Sequence, residues 1–254
     1  MKIATWNVNG IRARQDEVAN FVTLEQPDVL CLQEIKATRD HIPKTVSDLP
    51  GYWSYWHGTK GYSGVALFVR KDIESDQPLY IHPDFDVETR IATVRVGETL
   101  VASIYVPNGG KDFAAKLRFL EAMIAYAAAL RATGDRVVLC GDFNITRTAR
   151  DVHPKERDER AVGQRPEERV LFERILDVGA LRDVGREQDP TNDNLFTWWA
   201  PWRNMRQRNI GWRLDYLLAS GALAAQTSRC VSMREFGTSD HAPVVATFGG
   251  ASPS

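Results

Sequence analysis

Five short segments of this 254-residue chain carry an apolar run into a carboxamide, a carboxylate or an imidazole. ATWNVN delivers Asn7 and Asn9, DVLCLQE delivers Glu34, and VVLCGDFN delivers Asp142 and Asn144. GWRLDYLL holds Asp215 inside an apolar stretch, and SDHAP delivers Asp240 and His241 ahead of a last one. Taken singly, a polar residue at a strand end caps the next loop, and a lone histidine is a satisfied structural one. Asp215 differs, because a carboxylate between Leu214 and Tyr216 needs a partner to be tolerated in an apolar strand. Taken together, the five segments bring oxygen donors to one edge of a sheet. Such a donor set suits a hard divalent cation, Mg2+ or Mn2+, over Zn2+, since the sequence has neither HExxH nor a Cys/His cluster at metal-binding spacing.

A second concentration of chemistry is NLFTWWAPWRNMRQRNIGWRL, residues 194–214. It holds four arginines (Arg203, Arg206, Arg208, Arg213), four of the seven tryptophans, and no acid. Interleaved arginines and aromatics suit a nucleic acid, with guanidiniums on phosphates and rings stacking on or wedging between bases. The plain alternative is a core strand with buried tryptophans, and Trp199 is the one expected to point inward. The charged stretch 147–174, with eight basic and seven acidic residues, reads as a solvated face with local ion pairs.

The elements that must position these groups are short strands with a few helices between them. Strands are expected at 2–8, 28–33, 52–57, 64–70, 136–140, 195–199, 212–219, 227–234 and 243–248. Residues 89–96 and 99–106 form a hairpin through Gly97-Glu98, a type II′ turn. Helices are expected from Gln15 to Gln26, stopped by Pro27, from Phe113 to Arg131, and from Pro166 to Val178 with Gly179 as the stop. One α/β domain over 1–248 with a frayed 249–254 tail is the simplest organisation. At 43% hydrophobic and 26% charged, the chain has the composition of a packed globular domain, which excludes disorder and low-complexity classes. Lys plus Arg total 32 against 33 Asp plus Glu, so polyanion binding must come from local clustering and not from bulk charge. Three dispersed cysteines exclude a complete disulfide framework and point to a reducing compartment. With no signal peptide and no long apolar span, a soluble cytoplasmic protein is expected.

In series, WNVNGIRAR (6–14), PDVLCLQEIK (27–36), GYSGVAL (61–67), YVPNG (105–109), GDFN (141–144), NIGWRLDYLL (209–218) and SDHAP (239–243) resemble the exonuclease III family of abasic-site endonucleases. The blocks occur in the family's order and span nearly the whole chain. The resemblance implies a DNase I-like four-layer α/β sandwich, two mixed sheets face to face with helices outside. It implies Glu34 as principal metal ligand, with Asn7 and Asp240 beside the metal. Asp142 activates or positions the attacking water and Asn144 orients it. Tyr105 contacts phosphate, and Asp215 pairs with a His241 aimed at the scissile phosphate. Arg12, Lys36, Asn108 and Lys111 fall where the family contacts the DNA backbone or lesion. Trp198, Trp212 and Leu214 fall where it encloses the flipped-out abasic sugar, and Trp202 and Arg203 where a loop enters the groove.

The chemistry agrees with that assignment. Phosphodiester hydrolysis needs a deprotonated nucleophile and charge neutralisation, which one or two divalent ions supply. No serine or cysteine nucleophile stands out, which favours direct water attack. The implied substrate is double-stranded DNA with abasic sites or blocked 3′ ends, acted on by a monomer without a membrane. Two departures stand out. After GDFN the family's Asn-rich loop is replaced by ITRTARDVHPKERDERAVGQRPEE, where Arg147, Lys155 or Arg157 are the candidate contacts, and Asn9 stands where some members carry Asp. Two other functions compete: a lipid or small-molecule phosphodiesterase of the same fold, and a nucleic-acid-binding member that has lost catalysis. The latter should lack some of Glu34, Asp142, Asn144, Asp215, Asp240 and His241, yet all six are present.

Overall fold

A computed structural model describes residues 1–59 and 61–249. Among them twelve strands form two six-stranded mixed sheets. The first contains β1 (Lys2–Asn7), β2 (Val29–Gln33), β3 (Tyr52–His57), β4 (Val65–Arg70), β11 (Thr227–Ser232) and β12 (Val244–Phe248), in the order β11-β12-β1-β2-β4-β3. The second contains β5 (Tyr80–Ile81), β6 (Ile91–Val96), β7 (Thr99–Tyr105), β8 (Arg136–Asp142), β9 (Leu181–Asp183) and β10 (Asp215–Ser220), in the order β5-β6-β7-β8-β10-β9.

The period-2 alternation of a strand sends neighbouring side chains to opposite faces. Here both faces are apolar. Ile3, Val29, Cys31 and Leu67 of the first sheet meet Val94, Val101, Val138 and Leu217 of the second in the core between the sheets. Their neighbours Ala4, Leu30 and Phe68 pack outward with Val18, Phe21 and Val22 of α1 (Ile11–Glu25). Leu100, Leu139 and Leu218 do the same with Phe119 and Met123 of α3 (Phe113–Ala132) and Phe172 and Ile175 of α4 (Pro166–Gly179). The result is the expected four-layer sandwich, helix, sheet, sheet, helix. Doubly covered strands read as continuous apolar runs, which is why they stand out in the sequence. The hairpin turn has Gly97 at φ 54° as its only positive-φ residue, as a type II′ turn requires.

Several expectations are corrected. Helix α1 begins at Ile11, not Gln15, because Gly10 at φ 102° turns the chain after β1 and serves as N-cap. Residues 195–199 form no strand; Trp198 makes only isolated bridges to Trp212 and His241. The strand expected over 212–219 starts at Asp215, so this acid opens a strand instead of sitting within one. Gly249 is tied by its N–H to the Gln226 carbonyl, and the rest of the expected frayed tail, 250–254, lies outside the described residues. Short elements with no periodic signal, among them α2 (Lys44–Ser47), β5, β9, α5 (Val184–Gln188) and α6 (Gly221–Ala224), complete the fold. Cys31, Cys140 and Cys230 are all free thiols.

Candidate active site

Each sheet carries one parallel pair, β1 with β2 and β7 with β8. Parallel strands end together, so Asn7 stands opposite Gln33, one residue before Glu34, and Tyr105 stands opposite Asp142. The antiparallel β10 enters beside β8 with Asp215 opposite Asp142. Register thus gathers Asn7 and Glu34 at the rim of one sheet and Tyr105, Asp142 and Asp215 at the rim of the other, and the packing of the two sheets brings the rims together. Gly141 makes the approach possible: at φ +143° it passes so close to the Ile104 carbonyl that a Cβ would stand 1.9 Å from that oxygen.

Asp142 is completely buried and every contact orients it. Its Oδ1 accepts from the Asn144 main-chain N–H (2.8 Å), and its Oδ2 accepts from the Asn144 (3.1 Å) and Asn7 (2.9 Å) amide groups. Asn7 also donates to Glu34 Oε1 at 2.9 Å, so one amide bridges the two carboxylates. The Asn7 oxygen accepts from the Asn9 N–H at 3.0 Å. The amide thus turns its nitrogen to both carboxylates, at the position where the resemblance implies a place beside the metal. Lys36 Nζ sits 2.6 Å from Glu34 Oε2.

His241 Nδ1 lies 2.8 Å from Asp215 Oδ2, and its Nε2 faces Asp142 Oδ2 at 3.8 Å. Burial alone would lower the His241 pKa, but the carboxylates of Asp215, Asp142 and Asp240 outweigh it and raise it. Burial raises Asp142, with Asp215 and Glu34 adding repulsion and His241 opposing them. Glu34 moves the other way, because hydrogen bonds from Asn7 and Lys36 overcome its burial. Asp240 is likewise held low against burial, by His241, Asn9 and Trp198. The Tyr105 hydroxyl is pushed far above its usual range by burial and by Glu34 and Asp142, so Tyr105 is a neutral donor.

The donor set fits a divalent cation. Carboxylate oxygens of Glu34 and Asp142 lie within 4.8 Å of each other, and the nearby His241 imidazole is held by Asp215. Burial and mutual repulsion leave the Asp142 carboxylate short of compensating charge, and Asp215 Oδ1 is buried without a hydrogen-bond partner.

Around this centre the other candidates divide. Asn108 donates to Asn144 Oδ1 at 3.2 Å and belongs to the site. Trp198 and Trp212 meet edge to face at 5.4 Å, and Trp198 Nε1 donates to Asp240 Oδ2 at 3.0 Å. Leu214 is buried, and Trp212 Nε1 is a buried donor without a partner. Trp202, 58% exposed, and Arg203 border a cavity of about 490 Å³ that also reaches Asn9, Arg14 and Asp240. Arg12 and Lys36 border a smaller groove of about 240 Å³, and Lys111 is exposed on the loop after β7.

Not every arginine of 194–214 is available to a phosphate. Arg213 is buried in ion pairs with Asp183 and Asp151, and Arg206 donates to the main-chain carbonyls of Arg234, Phe236 and Ser239. Trp199 points inward, as expected. The stretch 147–174 is more than a solvated face: Asp151 and Glu168 are buried, and Arg147 is engaged by Glu173 and Asp183. Sequence reasoning missed Thr197, whose hydroxyl donates to Asp215 Oδ2 at 2.6 Å, and Lys116, which braces Asn144 from behind. Neither has a spacing signal. Positive φ at Asn9, Glu34, Lys36 and Asn144 is the backbone signature of the site, and such conformations are costly for non-glycine residues unless the surroundings fix them.

Residues 4–241 match the profile of the Endonuclease/Exonuclease/phosphatase family. The chain is 31% identical to an exodeoxyribonuclease of Bacillus subtilis over 96% of this chain and 98% of that protein. It is 31% identical over 98% of its length to Recombination repair protein 1 of Drosophila melanogaster, but spans only 37% of that longer protein. A 3′ phosphatase from Neisseria, solved with a product DNA hairpin, superposes with a TM-score of 0.89 at 31% identity, covering 98% of this chain and 100% of that one. An AP endonuclease from Archaeoglobus fulgidus gives 0.87 at 28% identity, covering 98% and 99%.

Proposed function

The chain belongs to the Endonuclease/Exonuclease/phosphatase family, and from that premise we propose that it is a divalent-metal-dependent DNA repair nuclease that cuts the backbone 5′ to abasic sites and also trims blocked 3′ ends. The observation that carries this reading is the buried Asp142 carboxylate. Asn7 and Asn144 fix its orientation, and the Asp215–His241 pair faces it.

Glu34 and Asp142 would hold Mg2+ or Mn2+, which supplies Lewis acidity and a more acidic water. Asp142 then takes the water's proton or holds the water in line with the phosphorus, and the Asn144 amide keeps that carboxylate in one rotamer. His241, protonated through its pairing with Asp215, presents an N–H to the phosphate oxygen on which charge develops. Asp215 fixes the imidazole's orientation, as the acid does in a hydrolase triad. Tyr105 and Asn108 are neutral donors at the rim, suited to phosphate oxygens. Arg12, Lys36 and Lys111 supply cations along the duplex, and Trp202 and Arg203 form the wedge.

In this reading selectivity rests on Trp198, Trp212 and Leu214, apolar side chains that would accept a bare sugar and exclude a nucleotide carrying its base. Extruding an abasic sugar costs less than unstacking a paired nucleotide, so lesion and pocket select each other. The named groups all lie on one chain, so a monomer suffices.

The test is incision of a duplex carrying a single abasic-site analogue. Cutting 5′ to the lesion with Mg2+, abolished by EDTA and by Asp142→Asn, is the expected result. Tight duplex binding without cutting in Mg2+ or Mn2+ would overturn the catalytic reading in favour of a binding protein.

A further inference from the structure

Each sheet ends on one side in a terminal strand, β3 in the first and β5 in the second, and these two edges lie side by side in the sandwich. Tyr55 of β3 stacks on Tyr80 of β5 at 4.6 Å, nearly parallel. Just beyond this stack, His57 ends β3, His82 follows β5, and Asp86 lies in the turn after it. The His57 and His82 rings stack at 3.9 Å, and ligand atoms of His57, His82 and Asp86 lie within 4.8 Å of one another.

The other polar atoms around these donors are already committed. His82 Nδ1 faces the Ile91 carbonyl at 2.9 Å, an acceptor only, so Nδ1 carries the proton and Nε2 keeps its lone pair. Asp86 Oδ1 accepts from the main-chain N–H groups of Arg90 (2.8 Å) and Ile91 (3.0 Å), leaving Oδ2 free to turn inward. It does so, 2.5 Å from His57 Nε2. An imidazole whose second nitrogen donates to a carbonyl, beside a carboxylate whose second oxygen is held by backbone N–H groups, is how metal ligands are oriented by their surroundings. Ligands bound at Zn2+ distances stand roughly 3.3 Å apart in a tetrahedron, with the ion in the plane of each imidazole, so metal entry turns one ring out of the 3.9 Å stack to bring both lone pairs onto the ion.

The geometry points to a transition-metal site of Zn2+ type formed by His57 Nε2, His82 Nε2 and Asp86 Oδ2, joining these edges of the two sheets, with water in the fourth position. Two imidazoles to one carboxylate favour Zn2+ over Mg2+, in contrast to the carboxylate-rich centre described above. Metal entry displaces the hydrogen bond between His57 Nε2 and Asp86 Oδ2, leaving the neutral imidazole with its one proton on Nδ1. It also replaces the Tyr55 hydroxyl hydrogen bond to His82 Nε2, 2.6 Å long, and Tyr55 leaves that nitrogen still protonated. No redox step is involved. Because the ligands come from both sheets, bound metal opposes their separation at this edge and raises the unfolding temperature by mass action.

The experiment is a Zn2+ titration of chelator-treated full-length protein by calorimetry, with excess Mg2+ to occupy the carboxylate centre. Unfolding temperature is followed in parallel. The parent and Glu34→Gln should each bind one Zn2+ and gain thermal stability. His82→Gln and His57→Gln should lose both effects, while their Mg2+-dependent incision of abasic duplex shows that they fold. Co2+ in place of Zn2+ should give the intense visible absorption of a low-coordinate site in the parent alone among these three. No Zn2+ uptake by the parent in Mg2+, or equal uptake by the parent and both histidine variants, would overturn the assignment.

Discussion

Lys116 Nζ, completely buried on α3, donates to the main-chain carbonyl of Asn144 at 2.7 Å. The same ammonium pairs with Glu168, buried on α4, whose other oxygen accepts from the Gly163 N–H at 2.8 Å. A left-handed backbone at Asn144 (φ 52°) is thus pinned from behind by an ion pair that never reaches the substrate. The pair links the two outer helices to the residue that orients Asp142.

Removing one member of such a pair leaves an uncompensated charge in the core. Lys116→Met should therefore cost about 3–5 kcal/mol of stability, read by urea unfolding. Lys116→Met with Glu168→Leu should recover much of that loss, since apolar replacement of a whole buried pair is often close to neutral. Incision should stay slow in the double variant, because the Asn144 carbonyl still lacks its donor. Full activity in a stable double variant would show that the pair serves folding alone.

Thr197 predicts a second separation of roles. Its hydroxyl accepts from the Leu214 and Asp215 N–H groups at 3.0 Å each and donates to Asp215 Oδ2, which also receives His241. Thr197→Val strips one carboxylate donor and leaves two buried N–H groups without an acceptor. The expected loss is about 1–3 kcal/mol of stability together with a fall in kcat and little change in KM, as Asp215 and His241 lose their fixed orientation. Thr197→Ser keeps the hydroxyl and should restore kcat. Equal kcat in the Val and Ser variants would remove Thr197 from the site.

The reach of the sequence can be traced through these residues. Asn7, Glu34, Asp142 and Asp215 are legible because strands covered on both faces are unbroken apolar runs, and a polar residue that closes such a run, or interrupts one as Asp215 does, is conspicuous. The sandwich itself is fixed by those runs, though recognising its type needed the motif series. Partners distant in sequence were not legible. Arg213 looks like a phosphate contact until Asp151 and Asp183, 62 and 30 residues away, close around it. Residues 195–199 look like a strand because aromatic residues favour strands. They fold instead as a loop whose Phe196 and Trp199 pack on Met205, Ile210 and Ala242. His57 and His82, 25 positions apart, match no metal-binding spacing, and only the pairing of strands within two different sheets brings them together.

Acid sensitivity should pass through Asp151. Burial alone would raise its pKa, but the guanidiniums of Arg213 and Arg186 and the Thr148 N–H hold it below the usual carboxylate value. A carboxyl whose folded pKa lies below its unfolded value, about 3.9, contributes stability that is complete above that unfolded value. The contribution is lost as pH falls through the folded pKa. Asp151→Asn should therefore be less stable than the parent at neutral pH, by on the order of 3 kcal/mol. The gap should hold steady down to about pH 5 and narrow below about pH 4. Urea unfolding of both proteins across this range checks it, and a gap that widens on acidification would contradict the assignment.

Lesion selectivity should depend on Trp212 more than on any basic residue. Its ring packs edge to face on Trp198, with Gly163 beneath it, where a Cβ would approach within 3.1 Å. A lysine or arginine on the duplex backbone strengthens binding to lesion and intact DNA alike, whereas a pocket wall acts only on the nucleotide that enters. Trp212→Ala removes both the ring that a bare sugar packs against and the bulk that excludes a base. Loss of an apolar contact of this size costs about 1.5–3 kcal/mol. Incision at an abasic analogue should therefore slow by roughly 10- to 150-fold, while the much slower cutting of undamaged duplex stays level or rises. The measurement is kcat/KM on matched duplexes with and without the lesion at one salt concentration. If the ratio of the two is unchanged from the parent, Trp212 is a structural wall and discrimination arises in duplex bending instead.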